Sequence, residues 1–337
     1  MTSDFLVIVT IVLSIVFTFV NGFHDGGNVF ATAVASRTLS PGKALAISCI
    51  AELLAPLVLG TAVADTIGRK ILDISVLASA NHQDSILLIL AALLGAILWN
   101  FITWKAGLPS SSSHALVGGL IGAGVAMFGF KAVLWASFFR GVVLLLLAAP
   151  LLGFLVGYIM IRVTKKAVSR SGIGVNKFFR SAQIFGIITL AASHSTNDAQ
   201  KSMGVIALIL LISGNTGEFF VPAWVMAACA LAISMGLSLG GWTIVKTVGT
   251  RIFRMKPIHS FNSQLASSLV ILTAGFLGSP VSSTQTVSSS IMGTGAGERM
   301  NAVQWETVND ILLSWILTIP STAVIACILC LILKNVV

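Results

Sequence analysis

The sequence predicts an all-α integral membrane protein built from two inverted-topology repeats, with broken helices and re-entrant hairpins. Of its 337 residues, 56% are hydrophobic and only 9% are charged, whereas a soluble protein carries about 25% charged residues. The mean hydropathy is +0.99. Apolar segments recur along the whole chain, and in lipid they must satisfy their own backbone hydrogen bonds, which favours helices.

The apolar segments account for most of the chain. They cover residues 5–20, 44–64, 86–104, 132–161, 203–212, 222–245, 265–278 and 311–333. The N-terminus, Met1–Asp4, has no basic residue, so we expect no cleavable signal peptide. Cys327 and Cys330 have C-x-x-C spacing, but they lie inside an apolar run, as do the other cysteines. We therefore expect small apolar side chains there, with no disulfide and no metal site.

The net charge of +9 is concentrated in short loops between the apolar runs. The densest basic stretches are 162–180 and 246–256, and the positive-inside rule places both in the cytoplasm. The loop 213–221 contains Glu218 and no Lys or Arg, so it should lie outside. Charge of this kind orients helices, and we expect no nucleic-acid partner.

Three markers occur twice in the same order. NGFHDGGNVFATAVASRT (21–38) corresponds to ASHSTNDAQKSMGVIAL (192–208), with Asp25 aligned to Asp198. TIGRKI (66–71) corresponds to TVGTRI (247–252), and LPSSSSHALVGGLIGAG (108–124) to SPVSSTQTVSSSIMGTG (279–295). Such duplication predicts two repeats. We place a first membrane repeat at 1–165, a basic cytoplasmic linker at 166–180 and a second membrane repeat at 181–337.

The loop charges indicate that the second repeat is inverted. The loop 37–43 has basic residues and no acid, which places it inside, whereas the balanced loop 65–85 is compatible with the outside. In the second half the order is reversed, with 213–221 outside and 246–256 inside. Inverted repeats of this kind hold a substrate near the membrane midplane.

Ionisable groups within apolar segments are candidates for a functional site. In the first half, Asp25 offers hard oxygens to a cation and Asn28 a neutral donor or acceptor, while Gly26 and Gly27 weaken the helix. The alternative is a helix end at the water interface, where a carboxylate is common for structural reasons.

The matching stretch of the second half is HSTNDAQK at 194–201. Asn197 and Asp198 are candidate cation ligands. Lys201 lies in the first helical turn that we predict after Asp198, and it is placed to attract an anion or to neutralise that acid. An ordinary helix N-cap would have the same composition, so this alternative stays open.

Two serine clusters each follow a proline. The stretch from each cluster to the next pair of glycines is too short to cross the membrane. A re-entrant hairpin explains this length, with hydroxyls and free N–H groups at a helix start that can surround an oxyanion. The alternative is an exposed serine loop. The candidate residues are Ser111, Ser112, Ser113, Ser282, Ser283 and Thr284.

Two further polar residues have no charged counterpart in the other half. Glu52 is a lone acid in an apolar run, and Ile233 lies opposite it in the alignment. It is either a coupling-ion or proton group or a partner for a neighbouring helix. His114 aligns with Gln285, which favours a hydrogen-bonding role over obligate proton chemistry.

The runs GFHDGGNVFATAV and HSTNDAQKSMG, with the two Pro/Ser motifs, resemble the inorganic phosphate transporter family over nearly the whole chain. The resemblance implies inverted repeats with re-entrant hairpins, a multi-pass protein of the cell (inner) membrane and a homodimer. It implies phosphate and cation sites at the residues identified above. Phosphate would bind Asn28, Ser111, Ser112, Ser113, Lys201, Ser282, Ser283 and Thr284. The cation would bind Asp25, Asn197, Asp198 and Glu52, with sodium at Asp25 and Asp198.

The sequence departs from the family pattern at three places. The first motif reads H-D-G-G-N, Lys201 stands where the first half has Asn28, and Ile233 stands where some members have a second glutamate. These departures leave the coupling ion open. Members use sodium or protons, and some relatives carry sulfate.

These observations favour a secondary active transporter that imports inorganic phosphate with a cation, by a small margin sodium, and that needs no cofactor beyond the co-transported ion. Proton-coupled phosphate transport and sulfate transport are the alternatives. An intramembrane hydrolase using Ser113 and His114 is remote, because no G-x-S-x-G motif is present. A channel is disfavoured, because channels expose a continuous polar pore, whereas the polar groups of this sequence cluster in the middle of its two halves.

Overall fold

The computed structural model describes residues 3–170, 172 and 174–336. Over these ranges the chain is helical, and its β contacts are two isolated bridges, Leu72–Val133 and Phe253–Val303. The α-helices are α1 (Ser3–Asp25), α2 (Gly27–Ala35), α3 (Pro41–Val58), α4 (Ala62–Arg69), α5 (Ile74–Ser79), α6 (His82–Ala106), α7 (Ser112–Phe128), α8 (Trp135–Ser137), α9 (Leu144–Ala167), α10 (Gly174–Ile212), α11 (Ala223–Leu239), α12 (Trp242–Lys246), α13 (Pro257–Phe276), α14 (Ser283–Glu298) and α15 (Trp305–Val336).

Several helices are long and apolar enough to cross a membrane. Within the described ranges the candidate spans are Asp4–Ala35, Pro41–Val58, His82–Ala106, Trp135–Ala167 and Trp305–Val336. Large apolar side chains such as Leu151 and Ile316 lie on the outer surface, exposed by 72% and 71%. Such faces suit lipid and not water. The prediction of an all-α membrane protein is confirmed.

Two of the predicted apolar runs are each interrupted by a glycine. The run 44–64 is divided where α3 ends at Val58 and α4 begins at Ala62, and Gly60 between them has a φ of +87°. The run 222–245 is divided in the same way between α11 and α12, where Gly241 has a φ of +84°. Glycine adopts positive φ without steric cost, so the chain bends there.

The expectation that a helix begins after Asp198, with Lys201 in its first turn, is wrong. Helix α10 is continuous from Gly174 to Ile212, so the stretch 194–201 lies in its interior and not in a first turn. Ser195 donates to the carbonyl of Ala192, and Asn197 bonds to Val281 of another segment. These side chains therefore donate to carbonyl groups and do not cap the N-terminus of a helix.

In the first half the break is slight. Helices α1 and α2 are separated by Gly26, whose φ of −58° and ψ of −26° are right-handed helical. Its N–H still donates to the carbonyl of Gly22 at 3.0 Å. The helix is therefore interrupted at one residue and not unwound, and Asp25 and Asn28 remain on adjoining turns.

Helices α7 and α14 are short, with 17 and 16 residues. At 1.5 Å per residue each is roughly 25 Å long, less than the ~30 Å hydrocarbon core. Helix α7 packs against α6 and α15, and α14 packs against α13 and α9. A Cβ at Gly122 would lie 2.0 Å from the carbonyl oxygen of Ala323, and one at Gly293 would lie 2.0 Å from that of Phe154. Each short helix thus meets a long helix of the other half at backbone distance.

Other helix contacts also occur in pairs. Helix α1 packs against α11, and α10 packs against α3. Between the halves, α9 ends at Ala167 and α10 begins at Gly174, so residues 166–167 and 174–180 of the stretch 166–180 are helical. The arrangement brings Asp25, Asp198 and the starts of α7 and α14 together in the interior.

Candidate functional site

Asp25, the last residue of α1, is 1% exposed and lies beside the start of α7. Ser112, the first residue of α7, donates its hydroxyl to Asp25 Oδ2 at 2.7 Å. His24 Nδ1 lies 2.6 Å from Asp25 Oδ1. Both carboxylate oxygens therefore have a neighbour from the protein.

Asp198, in the middle of α10, has a matching hydroxyl contact in the second half. Ser283, the first residue of α14, donates to Asp198 Oδ2 at 2.6 Å, and Asn197 donates to Asp198 Oδ1 at 2.9 Å. The Lys201 ammonium contacts Oδ1 as well. Each acid that the alignment pairs is thus bound by the first hydroxyl of the short helix in its own half.

The next residue of each short helix reaches across to the other half. Asn28 donates to Thr284 Oγ1 at 3.1 Å, and Lys201 Nζ donates to Ser113 Oγ at 2.5 Å. The sequence aligns Asn28 with Lys201, and these two contacts are equivalent in the alignment. The two acids and the two hydroxyl pairs consequently form one cluster and not two separate sites.

Ser111 and Ser282 play a different part from the other hydroxyls. Ser111 Oγ accepts from the backbone N–H of His114 at 3.2 Å, and Ser282 Oγ accepts from that of Gln285 at 3.3 Å. Both are buried N-caps that start α7 and α14. The remaining N–H groups of each first turn have no intrahelical partner, and such groups attract anions.

Asn197 links α10 to the segment before α14. Its Nδ2 donates to the carbonyl of Val281 at 2.8 Å, and its Oδ1 lies 3.3 Å from the N–H of Val281. Ser113 also donates to that carbonyl, at 3.0 Å. The predicted cation ligand is thus in the cluster, but its oxygen faces a backbone N–H.

Glu52 reaches the cluster through a histidine. His194 Nδ1 lies 2.7 Å from Glu52 Oε1, and His194 Nε2 lies 3.0 Å from Asp198 Oδ2. All three residues are 0% exposed. Two roles were left open for Glu52. The structure has the contact that one of them requires, with a residue of a neighbouring helix.

Sequence reasoning did not select His24, His194 or Val281 as site residues. His194 had a signal, since it precedes Asp198 by four residues and such pairs meet on one helix face. That signal was lost because the stretch was interpreted as a helix start. His24 adjoins Asp25, whereas nothing in the side chain of Val281 indicates that its backbone matters.

The cluster is closed to solvent on all sides. Asp25 is 1% exposed, and Asp198 and Lys201 are 0% exposed. Among the residues described, Asn28 Oδ1 is buried in this cluster and lacks a hydrogen-bonding partner. Unpaired buried polar atoms are costly, so a ligand that pairs with this oxygen would be favoured here.

The sequence model of the phosphate transporter family matches residues 21–326. The chain belongs to the phosphate transporter family. That range contains Asp25, Asp198 and both short helices. Since this is a family of transporters, the alternative of an intramembrane hydrolase is excluded, and the chain is not an enzyme.

Relatives in the phosphate transporter family cover almost the whole chain. A Bacillus subtilis protein named "Probable low-affinity inorganic phosphate transporter" is 38% identical over 330 residues, which cover 96% of this chain and 97% of the relative. A Rhizobium meliloti protein of the same name is 36% identical over 323 residues, covering 95% and 94%.

A solved structure shares the fold. The structure described as "The sodium-dependent phosphate transporter" matches with a TM-score of 0.87 and 22% sequence identity, covering 98% of this chain and 100% of that one. At this identity the likeness establishes the architecture of the helices.

Proposed function

We propose that the chain imports inorganic phosphate by symport with a cation, sodium in preference to a proton, through alternating access. The observation that carries the proposal is the pair of buried acids, Asp25 and Asp198, each hydrogen-bonded to the first hydroxyl of a short helix. Membership of the phosphate transporter family supplies the substrate class.

Charge explains why such a site needs a cation. Phosphate carries one to two negative charges near neutral pH, and two carboxylates in the same dry cluster repel it. A cation between acid and anion removes that conflict, so phosphate binds well only together with the ion. Carboxylate, amide and hydroxyl oxygens are hard ligands, which suit an alkali cation.

The phosphate ligands that we propose are hydroxyls, an amide and helix N-termini. Ser112, Ser113, Ser283 and Thr284 lie in the first turns of α7 and α14, and Asn28 contacts Thr284. Hydroxyls and free N–H groups bind an oxyanion without full positive charge. Ser111 and Ser282 support this arrangement as N-caps.

Complete burial of the acids supports alternating access. Asp25 and Asp198 are 1% and 0% exposed, so no ligand reaches them without a change of conformation. A site that opens to one side at a time behaves as a carrier and not as a channel.

Selection against sulfate would come from a buried acceptor in the cluster. A hydrogen phosphate ion has a proton to donate, and such an acceptor binds it. Sulfate has no such proton and leaves the acceptor unpaired, which is the kind of mismatch that gives strong discrimination.

Two inverted repeats, 1–165 and 181–337, with α7 and α14 as arms of re-entrant hairpins, are part of the proposal. The paired contacts α1–α11 with α10–α3, and α7–α15 with α14–α9, support it. Single cysteines at Lys43, Lys70, Asn215 and Lys256, in a chain freed of its native cysteines, test it. We expect Lys70 and Asn215 to be labelled from outside and the other two from inside; any other division contradicts the inversion.

The function is tested by uptake of radiolabelled phosphate into proteoliposomes under an inward sodium or an inward proton gradient, with unlabelled sulfate as competitor. We expect accumulation with sodium that sulfate does not reduce. Accumulation with a proton gradient alone would change the ion and keep the substrate. No accumulation under either gradient, with folded and inserted protein, would overturn the proposal.

Cross-linking in the same vesicles tests the predicted homodimer.

A further inference from the structure

The two halves of the cluster differ at the positions around the two acids. Around Asp198 stand Lys201, His194 and Glu52. The aligned positions around Asp25 are Asn28, Asn21 and Ile233, none of which is charged. One of these differences involves both an acid and the hydroxyl that faces it. Lys201 contacts Asp198 and Ser113, and Asn28 stands at the aligned position.

Lys201 places a positive charge beside Asp198 in the second half. Its side chain is 0% exposed, and its ammonium contacts Asp198 Oδ1 and donates to Ser113 Oγ. An ammonium is a compact positive charge surrounded here by carboxylate and hydroxyl oxygens. These are the ligand types that a hard cation takes. A mobile cation at Asp198 would have to displace Lys201 or share its ligands.

The first half has the ligands without the ammonium. Asn28 places its Nδ2 on Thr284, while its Oδ1 is buried and has no partner among the residues described. Asp25 is the last residue of α1, three residues before Asn28. A carboxylate oxygen and an unpartnered amide oxygen are ligand types that a hard cation takes.

His24 does not fill the part of Lys201. Its Nδ1 faces Asp25 Oδ1 at 2.6 Å, and its Nε2 lies 3.2 Å from Thr103 Oγ1. An imidazole N–H can donate from Nδ1 to a carboxylate without carrying a charge. Asn197, aligned with His24, donates to Asp198 in the same way without charge.

We propose that Lys201 is a resident cation, which neutralises Asp198 and leaves only the Asp25 side of the cluster to a mobile cation. Phosphate transport by this chain is then coupled to one fewer mobile cation than in a carrier that has asparagine at both positions. The inference rests on the proposed function and specifies its stoichiometry. Lys201 would at the same time supply positive charge to the bound phosphate.

Stoichiometry limits how far phosphate can be concentrated. Each coupled cation multiplies the attainable phosphate ratio by the ion gradient, so a tenfold gradient contributes about tenfold per cation. Replacing a mobile cation by Lys201 therefore lowers the maximum accumulation about tenfold under such a gradient and removes one cation from the rate equation.

The test compares Lys201→Asn and the reciprocal Asn28→Lys with the wild type. The number of cations per phosphate is obtained in proteoliposomes from the imposed phosphate ratio that just stops net flux at a fixed cation gradient, with whichever cation drives wild-type uptake. We expect the number to rise by one in Lys201→Asn and to fall by one in Asn28→Lys. His24→Asn, which copies Asn197, should keep the wild-type number.

Equal numbers in the wild type and Lys201→Asn would overturn the inference. If neither lysine variant folds, the count of sodium ions bound per wild-type chain at saturating sodium and phosphate decides, with one supporting the inference and two overturning it. Absence of gradient-driven phosphate uptake by the wild type would instead sink the proposed function, and this inference with it.

Discussion

Gln285 Nε2 lies 2.8 Å from His114 Nδ1, which joins the starts of α7 and α14 through side chains at aligned positions. Both residues are buried, at 2% and 5% exposure. The hydroxyls just before them, Ser113 and Thr284, make the contacts between the two halves. The His114–Gln285 contact therefore fixes the distance between the two groups of hydroxyls in the proposed phosphate site.

Substitution of His114 tests this positioning role. In His114→Ala we expect Gln285 to lose its partner, with a loss of about 1–3 kcal/mol in the free energy of unfolding. We also expect a raised KM for phosphate. His114→Gln keeps a hydrogen-bonding side chain and should recover most of both values. Thermal unfolding in detergent and phosphate uptake in proteoliposomes provide the readouts.

The control for His114 is the comparison of its two variants. If His114→Gln loses transport as fully as His114→Ala while remaining folded, then a titrating ring is required and a hydrogen-bonding role is not sufficient.

Loss of either acid should abolish accumulation of phosphate. Asp25→Asn and Asp198→Asn keep the shape but remove the charge that binds the cation, and we expect uptake to fall by more than about 100-fold, the effect of an interaction worth roughly 3 kcal/mol. Asp65→Asn is the matched control. Asp65 is exposed and pairs with Arg69 on the surface, so its loss should change little.

An Asp25→Asn or Asp198→Asn chain that still concentrates phosphate against its gradient would contradict the role of that acid. Ser112→Ala and Ser283→Ala should show a milder defect of the same kind, because each removes one hydrogen bond to an acid and leaves its charge.

The two acids at the centre of the site were predictable, because an ionisable side chain inside an apolar segment is costly and therefore marks a candidate functional residue. Asp25 and Asp198 stand out within apolar surroundings, and duplication of the Pro/Ser motifs placed hydroxyls near them. The structure brings these residues together as the alignment indicates. The length of the apolar runs 86–104 and 311–333 was also sufficient to predict the helices α6 and α15.

The remaining features depend on contacts between distant parts of the chain. His194 and Glu52 are 142 residues apart in sequence, and nothing local pairs them. The continuity of α10 depends on Asn197 bonding to Val281 instead of capping a helix, which only the packed structure decides. The interruption at Gly60 needs a positive φ that composition alone does not reveal.

Close packing of α7 against α15 predicts intolerance of a methyl group at Gly122. A Cβ there would lie 2.0 Å from the carbonyl oxygen of Ala323, a backbone atom that cannot turn away. We expect Gly122→Ala to destabilise the protein by about 1–3 kcal/mol or more. Thermal unfolding measures the loss.

Gly42→Ala provides the reference for Gly122. Gly42 lies in the first turn of α3 with no atom within 4 Å of a Cβ, so this change should be neutral or slightly stabilising. Equal stability of the two variants would mean that α7 and α15 are not packed at backbone distance.

Glu52 and His194 should depend on each other. Both are 0% exposed, and removal of one leaves the other buried without its partner. We expect Glu52→Ile alone to cost about 3–5 kcal/mol. The double variant Glu52→Ile with His194→Asn carries the residues found at the aligned positions, Ile233 and Asn21. Its cost should fall below the sum of the single costs by about 1 kcal/mol or more, as coupled neighbours do. Unfolding of the single and double variants gives that coupling, and additive costs would mean that the contact contributes nothing.

Uptake by the double variant then separates the two roles left open for Glu52. Unchanged cation dependence assigns it to pairing with His194, whereas a lost dependence makes it part of the coupling site.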